Sequence, residues 1–217
     1  AASVVETARF GADDNEVFPL TEPSGQTLPL GSRISLLVDE TGQRLFMGIG
    51  NTLWQARLDG SHARPILVCD EALLDHDGTV ASRDYCLLRD LAMVDGGRTL
   101  AISMEYSRSY RWADIMLLDK ESGKPTSANW NSAVNLYIGA STEPARLFWT
   151  SFDSGYVRAM PLGVGAEGTY TEIVDNGLTK PSALVFDEAT QGIYVLDNPS
   201  GEFRVLKITP DGSTTET

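Results

Sequence analysis

One strand-and-turn plan returns four times along the 217 residues, and the recurrence predicts an all-β protein of the β-propeller class, with about four blades of four antiparallel strands. Three observations carry the prediction. Short apolar runs alternate with turns containing Gly, Asp or Asn, which is the chemistry hairpins require. Asp39, Asp95, Gly139 and Asp187 hold equivalent places in the plan, and their residue numbers differ by 56, 44 and 48. Periods of roughly 40–50 residues holding four strands each are the mark of propeller blades. Helical periodicity is nearly absent.

Taken in order, residues 1–32 form an N-terminal segment of loosely strand-like pieces (3–10 and 17–20) separated by acidic and Pro/Gly-rich stretches. From residue 33 the pattern is regular, and four blades are expected at about 33–69, 87–130, 133–175 and 180–212 within a repeat region running to 217. In the first, Ile34-Ser-Leu-Leu-Val38 leads to the turn at Asp39–Gly42, and later strands are separated by Gly50-Asn51 and Asp59-Gly60. Leu91-Ala-Met-Val94, Leu136-Tyr-Ile138 and Ala183-Leu-Val-Phe186 open the corresponding strands of the other copies. The last copy reaches Asp211-Gly212 where an outermost strand is still owed. Either the N-terminal segment supplies that strand and closes the ring, or the chain is one arc of a larger propeller completed by other sequence or another polypeptide. Closure would remove exposed edges, which invite aggregation.

The net charge of −13 argues against binding to nucleic-acid phosphates or anionic lipid, which need clustered Lys and Arg. No apolar run approaches the roughly 20 residues that span a bilayer, so membrane insertion is not expected. No signal-peptide pattern is present, as in a mature, trimmed or cytosolic chain. The two cysteines, Cys69 and Cys86, end apolar strands that bracket one polar loop. A disulfide between them is expected, and with it the extracellular space or secretory pathway; two unrelated buried thiols are the alternative.

Family resemblance enters with the third and fourth copies. Leu147-Phe-Trp-Thr150 followed by Ser154-Gly-Tyr-Val-Arg-Ala159 resembles the YWTD repeat of lipoprotein-receptor-type propellers, with Ser151 where that repeat ends in Asp. Lys180-Pro-Ser-Ala-Leu-Val-Phe-Asp187, Ile193-Tyr-Val-Leu-Asp197 and Ile208-Thr-Pro-Asp-Gly212 together are similar to an NHL repeat. The resemblance covers about residues 33–212 and implies a propeller, in families that usually have six blades. It implies no single activity, because propellers host many.

Candidate functional residues are few. Tyr106, Arg108, Tyr110, Arg111 and Trp112 crowd one hairpin tip with the residue types that dominate protein-binding hot spots. An ordinary long turn with its own cation–π pairing is the plainer alternative. Asp75-His-Asp77-Gly78 resembles the start of a calcium loop, but the third acidic position and a bidentate Glu are missing, and a solvated acidic loop explains it as well. His62 and His76 are too few for a three-ligand zinc site, and a Gly-x-Ser-x-Gly elbow is absent. Asn51, Glu105, Asp197 and Asn198 lie near strand ends, where propeller enzymes gather a metal, yet nothing in their spacing selects them. Phe46, Trp54, Phe148, Trp149, Phe186 and Tyr194 recur on strands and are expected to pack between blades. The reading that results is a non-catalytic protein- or ligand-binding propeller whose partner is another protein, with no cofactor or calcium alone. The alternatives are a metal-dependent hydrolase or lactonase of propeller type, and a fragment completed by another chain.

Overall fold

The computed structural model describes residues 4–7, 16–19, 34–69, 86–106, 112–123, 125–131, 136–142, 144–162, 170–174, 177–209 and 212–216. Strands β1 (Val4–Thr7) and β2 (Glu16–Pro19) pair antiparallel with each other. Four four-stranded antiparallel sheets follow, each a meander in which neighbours in sequence are neighbours in space. Blade 1 holds β3 (Ile34–Asp39), β4 (Arg44–Ile49), β5 (Thr52–Arg57) and β6 (Arg64–Val68). Blade 2 holds β7 (Cys86–Val94), β8 (Thr99–Tyr106), β9 (Trp112–Asp119) and β10 (Pro125–Asn131). Blade 3 holds β11 (Leu136–Thr142), β12 (Ala145–Ser151), β13 (Val157–Pro161) and β14 (Thr171–Val174). Blade 4 holds β15 (Ala183–Asp187), β16 (Gly192–Asp197), β17 (Arg204–Ile208) and β18 (Thr214–Glu216).

Short turns make these meanders possible. Ile49 pairs with Thr52, so Gly50-Asn51 is a two-residue hairpin turn, and Gly50 takes the positive φ (62°) that a side chain resists. The first strands of successive blades, β3, β7, β11 and β15, lie side by side in that order. They form the inner lining of the arc.

Alternation along each strand sends side chains to both faces, and three seams between blades take up most of the core. Phe46, Leu53 and Leu67 of blade 1 meet Leu88, Leu91, Ile102 and Met116 of blade 2. Ala92, Ala101 and Ile115 of blade 2 meet Ile138, Leu147 and Trp149 of blade 3. Phe148, Val157 and Ala159 of blade 3 meet Leu184, Ile193 and Val195 of blade 4, with the Phe148 and Phe186 rings stacked at 5.0 Å. Phe46, Trp54, Phe148 and Trp149 are therefore core residues; Phe186 is partly buried in the third seam, and Tyr194 is half-buried. At the third seam β11 and β15 approach closely at Gly139, where a Cβ would stand 2.6 Å from Leu184 Cδ2.

The outermost strand of blade 4 corrects one expectation. It is not supplied by the N-terminal segment, because β18 follows directly on the last turn and pairs with β17 from Ile208↔Thr214 to Leu206↔Glu216. The Gly212 N–H donates to Thr209 O, the Thr209 N–H to Ser213 O, and Gly212 adopts a φ of 87°. A reversal that tight lets the three residues Thr214–Glu216 make the strand whose source the residue order leaves open.

Candidate functional site

In a meander the connections alternate between two sides of the arc. One side carries the turns joining second to third strands and the longer links from one blade to the next. There Cys69 N–H donates to Asn51 O and Leu88 N–H to Gly50 O, both at 2.8 Å. Both ends of the first inter-blade link are thus tied to one turn. In the same way Leu178 N–H reaches back to Gly155 O at 3.2 Å.

Two of the buried carboxylates, Asp197 and Glu105, lie near this side. Asp197 ends β16 with no exposed surface and accepts from Thr179 N–H (3.0 Å), Lys180 N–H (2.8 Å), Arg204 Nε (3.2 Å) and Arg204 Nη2 (2.8 Å). Burial pushes its carboxyl up, but Arg204 and the backbone donors outweigh that together and hold it below the ordinary range. In blade 2 the pairing of β7 with β8 slips between Leu88 and Asp90, leaving Arg89 as an extra residue that re-aims the strand. Arg89 pairs with Glu105 of β8, both almost wholly buried. Asp90 reaches the next blade, accepting Ile138 N–H and Leu91 N–H, each at 2.9 Å. Burial raises its pKa to about 6, against the pull of those two donors.

On the opposite side, Lys120 of blade 2 binds the buried Asp39 of blade 1 at 2.7 Å, and Gly42 N–H donates to the same carboxylate. Desolvation opposes the ionised form of Asp39, and Lys120 and Gly42 together override it, so its pKa is lowered. Glu188 of blade 4 accepts from the Thr142 hydroxyl of blade 3 at 2.8 Å. Two cavities of about 410 and 470 Å³ also open on this side, the first beside Arg146 and Glu172, the second beside Arg44 and Asp59.

Of the sequence-predicted site residues, Tyr106 and Trp112 are the paired ends of β8 and β9. Arg108, Tyr110 and Arg111 lie between them, outside the described residues, as do Asp75 and Asp77. Cys69 is buried, its Sγ 3.8 Å from Met104 Sδ, and the Cys86 side chain lies outside the described residues. Each candidate metal ligand of the strand ends has a local partner. Asp197 and Glu105 serve cations of their own sheets, Asn51 Oδ1 accepts from the Thr52 hydroxyl, and Asn198 Oδ1 accepts from Gly201 N–H. Among the described residues no group of three or more His, Cys, Asp or Glu is placed to hold a metal ion.

The structure adds a feature that residue types alone did not single out. The middle inner strand β11 is flanked by blades on both sides, and most of its residues are buried. At the ends of the arc this fails. On β3, Ile34, Leu36 and Val38 are 42%, 50% and 53% exposed on the face turned away from blade 2. On blade 4, Val185 and Val205 are 59% and 39% exposed on the face turned away from blade 3, with Phe203 at 65% beside them. The signal was the i, i+2 spacing of 34, 36 and 38, which sequence alone reads as one more buried strand.

Solved structures match this arrangement over most of its length. A chain of the nidogen/laminin complex aligns with 93% of this chain at a TM-score of 0.62 and 15% identity. The fold is a β-propeller. Regucalcin from Agrobacterium tumefaciens, a calcium-binding protein, aligns with 93% of the propeller at a TM-score of 0.64 and 16% identity. A luciferin-regenerating enzyme aligns with 86% at 0.62 and 11% identity. The chain spans 68%, 62% and 64% of those three structures, about two thirds of each. The likeness to propellers thus extends from the repeat motifs to the fold of the whole arc. No family model and no curated protein matches the sequence.

Proposed function

We propose that this propeller arc is a protein-binding module that works through its sheet faces and not through a catalytic centre. One observation carries the reading: apolar side chains of β3 and of β15 and β17 stand open at the two ends of the arc. Exposed β-branched and aromatic surface on a sheet is expensive in water, at roughly 25 cal/mol per Å², and a partner that covers it recovers that energy. The nidogen/laminin match supports the reading at the level of fold, since that complex joins two proteins. The Tyr106–Trp112 tip is the second contact we assign to the partner, on residue type. Selection of a displayed peptide library on the immobilised chain tests both surfaces. Binders should be lost on Leu36→Glu or Val185→Glu, or on Tyr110→Ala with Trp112→Ala; binders indifferent to all four changes would reject the proposal.

Two finer assignments accompany it. The tethering of Cys69 and Leu88 to the Gly50-Asn51 turn favours a Cys69–Cys86 bridge and secretory or extracellular residence. Alkylation without reductant followed by mass measurement checks it, and labelling of both thiols would refute it. Calcium at Asp75 and Asp77 draws support from the calcium-binding neighbour. Calorimetric titration with calcium should give heat that Asp75→Asn with Asp77→Asn removes. A lactonase-type enzyme is the competing reading, favoured by the luciferin-regenerating enzyme's shared fold, and turnover across a lactone and ester panel with added divalent metal would establish it.

A further inference from the structure

Blades 1 and 3 carry the same three residues at the head of their second strands, Arg44-Leu45-Phe46 and Arg146-Leu147-Phe148. Phe46 and Phe148 each enter the seam with the following blade. Alternation puts each arginine, two residues earlier, on that same face. In blade 1 the space around the arginine is taken up. Arg44 forks onto Glu121 of blade 2, Nη1 to Oε1 and Nη2 to Oε2, each at 3.2 Å. Register sets Gln55 beside Phe46 and Arg64 beside Gln55, and Gln55 Oε1 accepts from Arg64 Nε and Nη2 at 3.3 and 3.0 Å. The cavity next to Arg44 is walled by the polar turn residues Gln43 and Asp59 and by Arg57.

Blade 3 keeps the arginine and loses what surrounds it. Ala159 stands in the place of Gln55 and Thr171 in the place of Arg64. These shorter side chains leave the opening of about 410 Å³, whose apolar wall is Ala159, Met160, Pro161 and Ile173. Across the seam the Gly212 turn of blade 4 abuts the Ile173 carbonyl, with no room for a Cβ. Arg146 is exposed beside the cavity and meets no carboxylate among the described residues. Glu172, the acid in the lining, is already held by Arg158 at 2.8 Å.

We propose that this cavity binds a small organic monocarboxylate with a compact apolar body. The carboxylate takes on Arg146 the place that Glu121 has on Arg44, because the planar fork of a guanidinium matches two carboxylate oxygens. The body lies against Ala159, Met160, Pro161 and Ile173, and the Thr171 hydroxyl supplies a further polar group. An opening of this size, apolar with few polar groups, falls in the range of about 300–1,000 Å³ usual for small-molecule sites. Glu172 restricts the charge. Its side chain keeps 41% of its surface, so a second negative charge on the ligand, as on phosphate, is repelled. The site lies in the seam between blades 3 and 4 and is independent of the end faces.

Three probes separate the parts of the proposal. Phenylacetate has both the carboxylate and the apolar body, phenylacetamide lacks the charge, and inorganic phosphate lacks the body. Each is titrated into the isotope-labelled chain and followed by backbone amide shifts in nuclear magnetic resonance. Phenylacetate should move the amides of Ala159, Thr171 and Ile173 to saturation. Phenylacetamide and phosphate should bind at least about tenfold more weakly, the size of effect expected when a hydrogen-bonded charge is lost. Arg146→Gln should weaken phenylacetate by about tenfold or more, and Arg146→Lys by less, because a charge remains without the fork. Arg44→Gln should leave phenylacetate binding unchanged. Arg146 is exposed and Arg44 keeps 31% of its side-chain surface, so these variants should fold, as checked by far-ultraviolet circular dichroism. Wild-type amides that do not move with phenylacetate would overturn the inference. So would undiminished binding by Arg146→Gln, an equal loss in Arg44→Gln, or phenylacetamide or phosphate binding as tightly as phenylacetate.

Discussion

Asp197→Ala is the most informative single change for the fold. The carboxylate is fully buried and ties the link ahead of blade 4, through Thr179 and Lys180, to the end of β16 and to Arg204 at the start of β17. Alanine would leave two backbone N–H groups without their acceptor, and unmet buried donors cost about 1–3 kcal/mol each. It would also strand a guanidinium, and breaking a buried pair costs about 3–5 kcal/mol when both partners are enclosed. Arg204 keeps 31% of its side-chain surface and can turn to water, so its share is the smaller one. A loss of about 3 kcal/mol is expected, or roughly 6–12 °C in Tm for a chain of this size. Urea unfolding followed by tryptophan fluorescence should show a lower midpoint with an unchanged slope. The sign with pH is also fixed. A carboxyl held below its ordinary range contributes stability above the unfolded pKa near 3.8 and loses it as pH falls through the lower folded value, so the variant should show a shallower acid limb. A loss under about 1 kcal/mol, or an unaltered acid limb, would refute the reasoning.

Other changes probe the seams. Asp90 titrates near 6 in the fold against an ordinary 3.8, so its contribution is present in full below about pH 4 and lost as pH rises through about 6. That amounts to roughly 3 kcal/mol, and the stability difference between Asp90→Asn and wild type should change by about this much across pH 4–7. Trp149→Ala empties a fully buried site in the second seam and should cost about 3–5 kcal/mol by denaturant titration. Trp149→Phe should cost much less than that, because Nε1 of Trp149 makes no hydrogen bond. Gly139→Val drives a side chain at Leu184 and the Phe186 backbone and should cost about 1–3 kcal/mol, read as a lowered urea midpoint.

Much of the architecture could be read directly from residue order. Strand patterns and turn residues are local, so the four repeats and the alternation within each strand follow from neighbours a few positions apart. Gly50-Asn51 reads as a hairpin turn because the conformation it needs is a property of glycine itself. The packing roles of Phe46 and Trp149 follow from period and polarity in the same way. The source of β18 was not legible, because a three-residue strand of Thr and Glu carries no apolar signal and is defined only by the edge of β17 that receives it. The Tyr106–Trp112 tip was chosen on residue type alone, and its backbone frame, Tyr106 paired with Trp112, is what the structure adds.

By itself, then, the amino-acid order determined a repeating all-β chain, its turns and the alternation that gives every strand two faces. Tertiary structure decided which faces are covered. Leu37 and Leu36 are adjacent and chemically identical, yet one packs into the first seam and the other is 50% exposed, because blade 2 lies on one side of β3 only. Asp90 and Asp197 likewise differ in their surroundings and not in their chemistry. One faces two backbone donors and no cation, the other two backbone donors and a guanidinium, and their pKa values move in opposite directions. Contacts between residues dozens of positions apart set these differences, and they exist only once the blades have stacked.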